Sequence, residues 1–201
     1  YNRWLQEEFC AAAPDRLFGM GQTAVRSVAE AIEELRTFKD MGFRGVMMPG
    51  NPATAEDYDH PSFDPLWRAA VELELPLGFH ILTSRGDGTN AIAASGQRQG
   101  AHRGPPQNAS QMLLKSIQDI IGTFIWGRVF ERHPALKVVC VEADAGWAPH
   151  FAYRMDHGYN RHRFWLKMGD MARTPSEYFY ENVYMTFQDD WVALKLVDMM
   201  N

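Results

Sequence analysis

The sequence predicts an α/β fold built around a parallel β-sheet. Five short apolar runs recur along the chain, and each is followed by a longer segment with helical periodicity. The apolar runs are hydrophobic almost throughout instead of alternating, which indicates strands that are buried on both faces. A (β/α) barrel and an open doubly wound sheet use the same units, so the periodicity leaves both architectures open.

The amino-terminal part of the chain is predicted to begin with a helix. In order, it contains a helix over residues 1–13, a strand over residues 16–23 and a helix over residues 27–42. Trp4, Leu5 and Phe9 recur at the spacing of one helix face, which supports the first helix. Ser27 and Glu30 have the spacing of a capping box, which marks the start of the second.

The middle of the chain contains two predicted strands with a helix between them. The elements are a strand over residues 43–50, a helix over residues 63–75 and a strand over residues 77–82. Pro49 and Gly50 end the first of these strands. Asp64 is expected to cap the helix, and Pro65 suits its first turn.

The carboxyl-terminal part repeats the same alternation after a long polar loop. The predicted elements are a loop over 83–108, one long helix or a pair of helices over 108–134, a strand over 137–144, a helix over 146–163, a strand over 182–187 and a helix over 190–200. Asp189 and Asp190 stand where they would cap the last helix.

Composition excludes several classes of function. The 201 residues are 46% hydrophobic and 22% charged, which is typical of a globular protein, and one domain over residues 1–201 is expected. A net charge of −5 without a basic stripe argues against nucleic-acid binding. No apolar run is long enough for a membrane span. Cys10 and Cys140 lack metal-ligand spacing and are expected to be reduced thiols of a cytoplasmic protein.

Polar side chains stand where the predicted strands end, which is where both candidate architectures place their chemistry. His80 lies near the end of the run LGFHIL, and Glu142 follows the run VVCV. Imidazole is a common metal ligand that also titrates near neutral pH, and a nearby carboxylate can act as ligand or general base. These two residues therefore form the candidate site. The alternatives are that His80 is a hydrogen-bonded core histidine and that Glu142 pairs with Arg44 or Arg85.

The other candidate motifs give weaker signals. His133 is expected only to end a helix. The histidines of the predicted helix over 146–163 stand seven and five residues apart, which is not the spacing of a ligand pair. His102 lies in the long loop, from which it could reach the strand ends. The sequence contains neither a phosphate-binding GxGxxG motif nor a GxSxG nucleophile elbow.

Several segments match those of a known family in order and spacing. They are YNRWL with PDRLFGM, ELRTFKDMGFRGVMMP, FDPLWRAAVELELPLGFHI, GRVFERHPALKVVCVEADAGWAPH and NVYMTF. On these segments the chain resembles the amidohydrolase-related family of metal-dependent hydrolases, which includes aminocarboxymuconate semialdehyde decarboxylase and γ-resorcylate decarboxylase. The resemblance covers nearly the whole chain. It implies a distorted (β/α)₈ barrel of the TIM-barrel type. This sequence is expected to supply strands three to seven of that barrel, which would be incomplete at both ends.

The resemblance also implies a set of metal ligands. The family site uses an HxH pair on the first strand, a histidine on the fifth, commonly a histidine on the sixth, and an aspartate on the eighth. His80, in the phrase LPLGFHI, falls on the fifth-strand ligand. Glu142 stands in place of the sixth-strand histidine, and no HxH pair occurs in the 201 residues.

The function that the resemblance implies is that of a metal-dependent hydrolase or decarboxylase. A divalent ion, Zn²⁺ or alternatively Mn²⁺, would act as a Lewis acid on a small carboxylate-bearing substrate. His80 would be a metal ligand, Glu142 a base or ligand, and Arg85 and His102 contacts to the anionic substrate. A homodimer is expected because family members often dimerise. Two alternatives remain: a catalytically incompetent chain, because one histidine and one glutamate make a poor metal site, and an open five-stranded binding module.

Overall fold

The structure is a computed structural model that describes residues 1–81, 83–84 and 109–200. The described strands are β1 (Met20–Gln22), β2 (Gly45–Met48), β3 (Leu77–His80), β4 (Val138–Val141) and β5 (Val183–Met185). The described helices are α1 (Asn2–Trp4), α2 (Val28–Asp40), α3 (Asp64–Glu72), α4 (Ala109–Trp126), α5 (Val129–Arg132), α6 (Ala148–His162), α7 (Pro175–Asn182) and α8 (Trp191–Lys195). None of these helices is long and apolar enough to cross a membrane.

The five strands form one parallel sheet in the order β1-β2-β3-β4-β5. Each strand therefore pairs with the next one along the chain, with at least one described helix between them. A doubly wound sheet reverses its strand order at a switch point, and no reversal occurs among the described strands. The order is that of a segment of a (β/α) barrel, as expected, and it argues against the open binding module.

The two faces of the sheet have different roles. Leu77, Phe79 and Cys140 are buried on the face that packs against the helices. Because side chains alternate along a strand, His80 projects from the other face. Val141, which pairs with His80 across the two strands, projects there too. The sheet therefore separates a hydrophobic core from the face that carries the candidate site.

An aromatic cluster beneath β3 fixes the strand in place. The ring of Phe79 lies 5.6 Å from both Tyr58 and Phe124, measured between ring centroids, and Trp67 lies 5.7 Å from Tyr58. The Tyr58 hydroxyl donates a hydrogen bond of 2.7 Å to the carbonyl oxygen of Pro49, at the end of β2. Burial raises the pKa of Tyr58. The residue before His80 is therefore held from below by close-packed rings.

Several elements differ from the sequence prediction. The segment predicted as one helix or a pair is a pair, because Arg128 between α4 and α5 adopts a φ of 58°. Helix α7 was not predicted, although Thr174 and Glu177 form a complete capping box at its start. The last predicted helix is shorter than expected, since α8 is followed by a 3₁₀ turn, Val197–Met199. The first predicted helix, over residues 1–13, is only partly α-helical. Beyond α1 it continues as a π turn, Leu5–Phe9, and a 3₁₀ turn, Cys10–Ala12.

The expectation that Asp64 caps α3 is wrong. Asp64 is the first residue of the helix, and its carboxylate instead accepts hydrogen bonds from Arg132 Nε at 2.9 Å and His133 Nε2 at 3.0 Å. Burial raises the pKa of Asp64, but the hydrogen bonds from His133 and Arg132 outweigh it and lower the pKa overall. His133, expected only to end a helix, thus joins the end of α5 to the start of α3.

Candidate functional site

His80 and Glu142 meet at the carboxyl ends of β3 and β4. The distance from His80 Nε2 to Glu142 Oε2 is 2.5 Å. Their side chains are 23% and 38% exposed, so both groups are accessible from solvent. The two side chains that sequence analysis selected from neighbouring strand ends are therefore in direct contact. A strand-end pair of this kind lies where (β/α) barrels place their active sites.

The chain turns sharply just after His80. The carbonyl oxygen of His80 accepts hydrogen bonds from the Thr83 hydroxyl at 2.9 Å and from the Thr83 amide at 3.3 Å. The Thr83 carbonyl in turn accepts a bond of 3.1 Å from the Gly50 amide. A Cβ on Gly50 would lie 2.2 Å from Ser84 Oγ, so glycine is needed for this close approach. The ends of β2 and β3 are thereby joined beside the site.

Glu142 reaches the site through an unusual backbone conformation. Strand alternation after Val138 and Cys140 would direct its side chain toward the buried helices. Its φ of 61° lies in the left-handed region, which non-glycine residues seldom adopt, and Asp144 has a φ of 51°. The Glu142 amide donates a bond of 2.8 Å to Thr186 Oγ1, which helps to hold this conformation. Strained residues of this kind cluster at functional sites.

The Glu142 carboxylate has a partner on each oxygen. Gln188 Nε2 donates a hydrogen bond to Oε1, and Oε2 faces His80. An ionised carboxylate only accepts hydrogen bonds, so when Glu142 is charged His80 Nε2 carries a hydrogen and donates a hydrogen bond to Oε2. The alternative partner Arg44 is not bonded to Glu142; its guanidinium lies 5.3 Å from the centre of the Phe18 ring.

Asp190 fixes the turn that follows Glu142. Its Oδ2 accepts hydrogen bonds of 2.7 Å from the amides of both Ala145 and Gly146. Its Oδ1 accepts a bond of 2.9 Å from the Ala193 amide, which confirms the expectation that Asp190 caps the last helix. Burial raises the pKa of Asp190, but the bonds from the backbone amides outweigh that effect and lower the pKa overall.

The pair fits part of a metal centre. An imidazole nitrogen and a carboxylate oxygen are both ligands of Zn²⁺ and similar divalent ions. Within the described ranges, no group of three or more His, Cys, Asp and Glu side chains is placed to hold a metal ion. His80 and Glu142 therefore supply two donors of one chemically suitable set.

The other site residues divide into two groups. Arg85 and His102, expected to contact an anionic substrate, lie outside the described residues. Thr186 and Gln188 follow β5, and the sequence analysis assigns no role to either residue. Their position at the neighbouring strand end was the signal, because carboxyl ends of adjacent parallel strands lie side by side.

The chain is similar in sequence to one protein family and in structure to several solved proteins. The model of the amidohydrolase family matches residues 1–195. An amidohydrolase from Mycobacterium avium subsp. paratuberculosis K-10 superposes with a TM-score of 0.75 at 23% identity, over 99% of this chain and 50% of that one. A 5-carboxyvanillate decarboxylase from Sphingomonas paucimobilis gives 0.71 at 22% identity, over 99% and 57%.

A third solved structure contains a metal. The dihydroxybenzoic acid decarboxylase from Polaromonas sp. JS666, with bound manganese and the inhibitor 2-nitroresorcinol, gives a TM-score of 0.69 at 24% identity. The match covers 99% of this chain and 58% of that one. The chain thus spans only between 50% and 58% of the length of these three structures. Likeness at this identity establishes the fold.

Proposed function

Because the chain belongs to the amidohydrolase family, we propose that it forms part of a metal-dependent hydrolase or decarboxylase that acts on a small carboxylate-bearing substrate. The observation that carries this proposal is the contact between His80 and Glu142 at the carboxyl ends of β3 and β4. Arg85 and His102 are proposed to contact the anionic group of the substrate. A cytoplasmic homodimer is also proposed.

The proposed metal is a divalent ion, Zn²⁺ or alternatively Mn²⁺. His80 would bind it through an imidazole nitrogen, and Glu142 would either add a carboxylate oxygen or act as the base. The manganese in the Polaromonas decarboxylase supports a divalent ion. Catalytic zinc usually has three protein ligands, so the proposed centre needs at least one donor beyond this pair. When bound, the ion would supply Lewis acidity toward a carbonyl or carboxylate oxygen of the substrate.

Glu142 is proposed to move the proton. In hydrolysis its carboxylate would take a proton from the attacking water and pass it to the leaving nitrogen or oxygen as the C–N or C–O bond breaks. In decarboxylation the carbon–carbon bond breaks, carbon dioxide leaves, and a protonated Glu142 would return a proton to the carbon left behind. Either role needs a carboxyl oxygen that solvent and substrate can reach, and the 38% exposure of the Glu142 side chain meets that need.

Metal content measured by plasma mass spectrometry tests the proposal. We expect near-stoichiometric zinc or manganese in the purified protein and a loss of most of it in His80→Ala. His157→Ala is the matched control, because His157 lies in the carboxyl-terminal half of α6, which runs away from the carboxyl ends of the strands. Equal metal in the wild type and His80→Ala, or no metal in either, would contradict the proposal. Carbon dioxide release from hydroxylated benzoates then separates decarboxylation from hydrolysis.

A further inference from the structure

We infer that Gln188 is a positioning residue that holds the Glu142 carboxylate with a single oxygen directed at His80. This inference rests on the proposed function, because it assigns how the proposed base or ligand is oriented. Gln188 follows β5, so the three side chains come from the ends of three adjacent strands. They form a continuous hydrogen-bonded series from His80 through Glu142 to Gln188.

The bond from Gln188 restricts rotation of the carboxylate. The terminal torsion of a glutamate is broad, so an unrestrained carboxylate samples many orientations. Here Oε1 accepts a hydrogen bond from Gln188 while Oε2 lies 2.5 Å from His80 Nε2. A partner on each oxygen fixes the plane of the group. Partners behind a metal ligand commonly orient it in this way, and their loss weakens metal binding.

The same segment also holds the backbone of Glu142. Two residues before Gln188, the hydroxyl of Thr186 accepts the Glu142 amide at 2.8 Å. Two residues after it, Asp190 accepts the amides of Ala145 and Gly146. Gln188 is thus carried by a segment that is fastened to the Glu142 turn on both sides. The backbone therefore places Gln188 within reach of Oε1.

The placement has a chemical consequence. With Oε1 held by a neutral amide donor, Oε2, which faces His80, is the oxygen placed to take a proton or bind an ion. Glu142 is therefore expected to act through one oxygen and not as a chelating pair. Replacing the amide of Gln188 by a carboxylate would remove the donor and place a like charge beside Oε1, which disfavours the observed orientation.

Two variants and two readouts test the inference. Gln188→Ala removes the side chain, and Gln188→Glu keeps its shape but removes the donor. Gln188 is exposed, so both variants are expected to fold, which thermal unfolding of the metal-free protein checks. Gln118→Ala on α4 is the matched control for loss of a glutamine. The readouts are the imidazole ring NMR signals of His80 in metal-free protein and the affinity for added Mn²⁺, measured by electron paramagnetic resonance.

The two readouts separate this inference from the proposed function. We expect both Gln188 variants to move the His80 signals toward those of Glu142→Ala and to weaken Mn²⁺ binding by about 10- to 100-fold. His80 signals that stay at their wild-type positions in both variants would overturn the inference, as would a Glu142→Ala variant with unshifted His80 signals. A wild-type protein that binds no Mn²⁺ contradicts the proposed function, while the His80 signals still decide the role of Gln188.

Discussion

Removing the Asp190 carboxylate tests how the turn that carries Glu142 is held. In Asp190→Ala, the amides of Ala145, Gly146 and Ala193 lose their acceptor. Loss of a helix cap costs about 1 kcal/mol, and each of two amides left without an acceptor costs about 1–2 kcal/mol, for a total of about 3–5 kcal/mol. Asp190→Asn retains one side-chain oxygen and is expected to lose about half as much, because that oxygen serves one side of the turn only.

Urea unfolding at several pH values measures this effect and its cause. The pKa of Asp190 is lowered in the folded protein because the amide hydrogen bonds outweigh burial. The stabilisation should therefore be fully present above the unfolded pKa of about 4, and should decline as the pH falls through the lower folded value. The difference in unfolding free energy between wild type and Asp190→Ala is thus expected to be constant from pH 7 to about 5 and smaller at pH 3.

The control is Asp189→Ala, which removes a carboxylate from the neighbouring exposed residue. It is expected to change the unfolding free energy by less than about 0.5 kcal/mol. A loss below about 1 kcal/mol in Asp190→Ala would refute the reasoning about unsatisfied amides. A loss that is as large at pH 3 as at pH 7 would refute the assignment to the charged carboxylate.

Three further substitutions test the surroundings of the site. Gly50→Ala should shift the backbone at Ser84, because the new Cβ would lie 2.5 Å from the Ser84 amide nitrogen, and a crystal structure would show whether it does. Gly158→Ala, where nothing lies within 4 Å of the new Cβ, should instead stabilise α6 by about 0.5–1 kcal/mol in urea unfolding. Thr186→Val removes the acceptor of the Glu142 amide, so it should weaken Mn²⁺ binding. Thr37→Val, in the carboxyl-terminal half of α2, should leave Mn²⁺ binding unchanged.

The parallel sheet, and the placement of His80 and Glu142 at neighbouring strand ends, could be predicted from local sequence. Uniformly apolar runs identified the strands, and His80 ends β3 while Glu142 directly follows β4. Consecutive parallel strands pair with each other here, so their carboxyl ends had to lie side by side. The proximity of the two residues was therefore predictable from pattern alone, although strand alternation would have directed the Glu142 side chain toward the helices. Their chemical roles were not, because the same pair could hold a metal ion or only a proton.

The details of the site depend on contacts that are distant in sequence. The left-handed conformation of Glu142 is supported by Thr186, which lies 44 residues away, and nothing in the phrase VVCVE signals it. Likewise the prediction for Asp64 failed because its partner His133 lies 69 residues along the chain. Helix α7 is a different case, since its capping box of Thr174 and Glu177 is itself a local sequence signal.

The distance along the chain between the two site residues has a consequence for folding kinetics. His80 and Glu142 are separated by 62 residues, so their contact closes a long loop, and loop closure costs entropy before any contact repays it. Parallel pairings over such separations form slowly compared with helices. The pairing of β3 with β4 should therefore form late during refolding, and the site should be able to bind a metal ion only after that pairing has formed. Recovery of Mn²⁺ binding would then lag behind recovery of helical circular dichroism, which stopped-flow measurements can resolve.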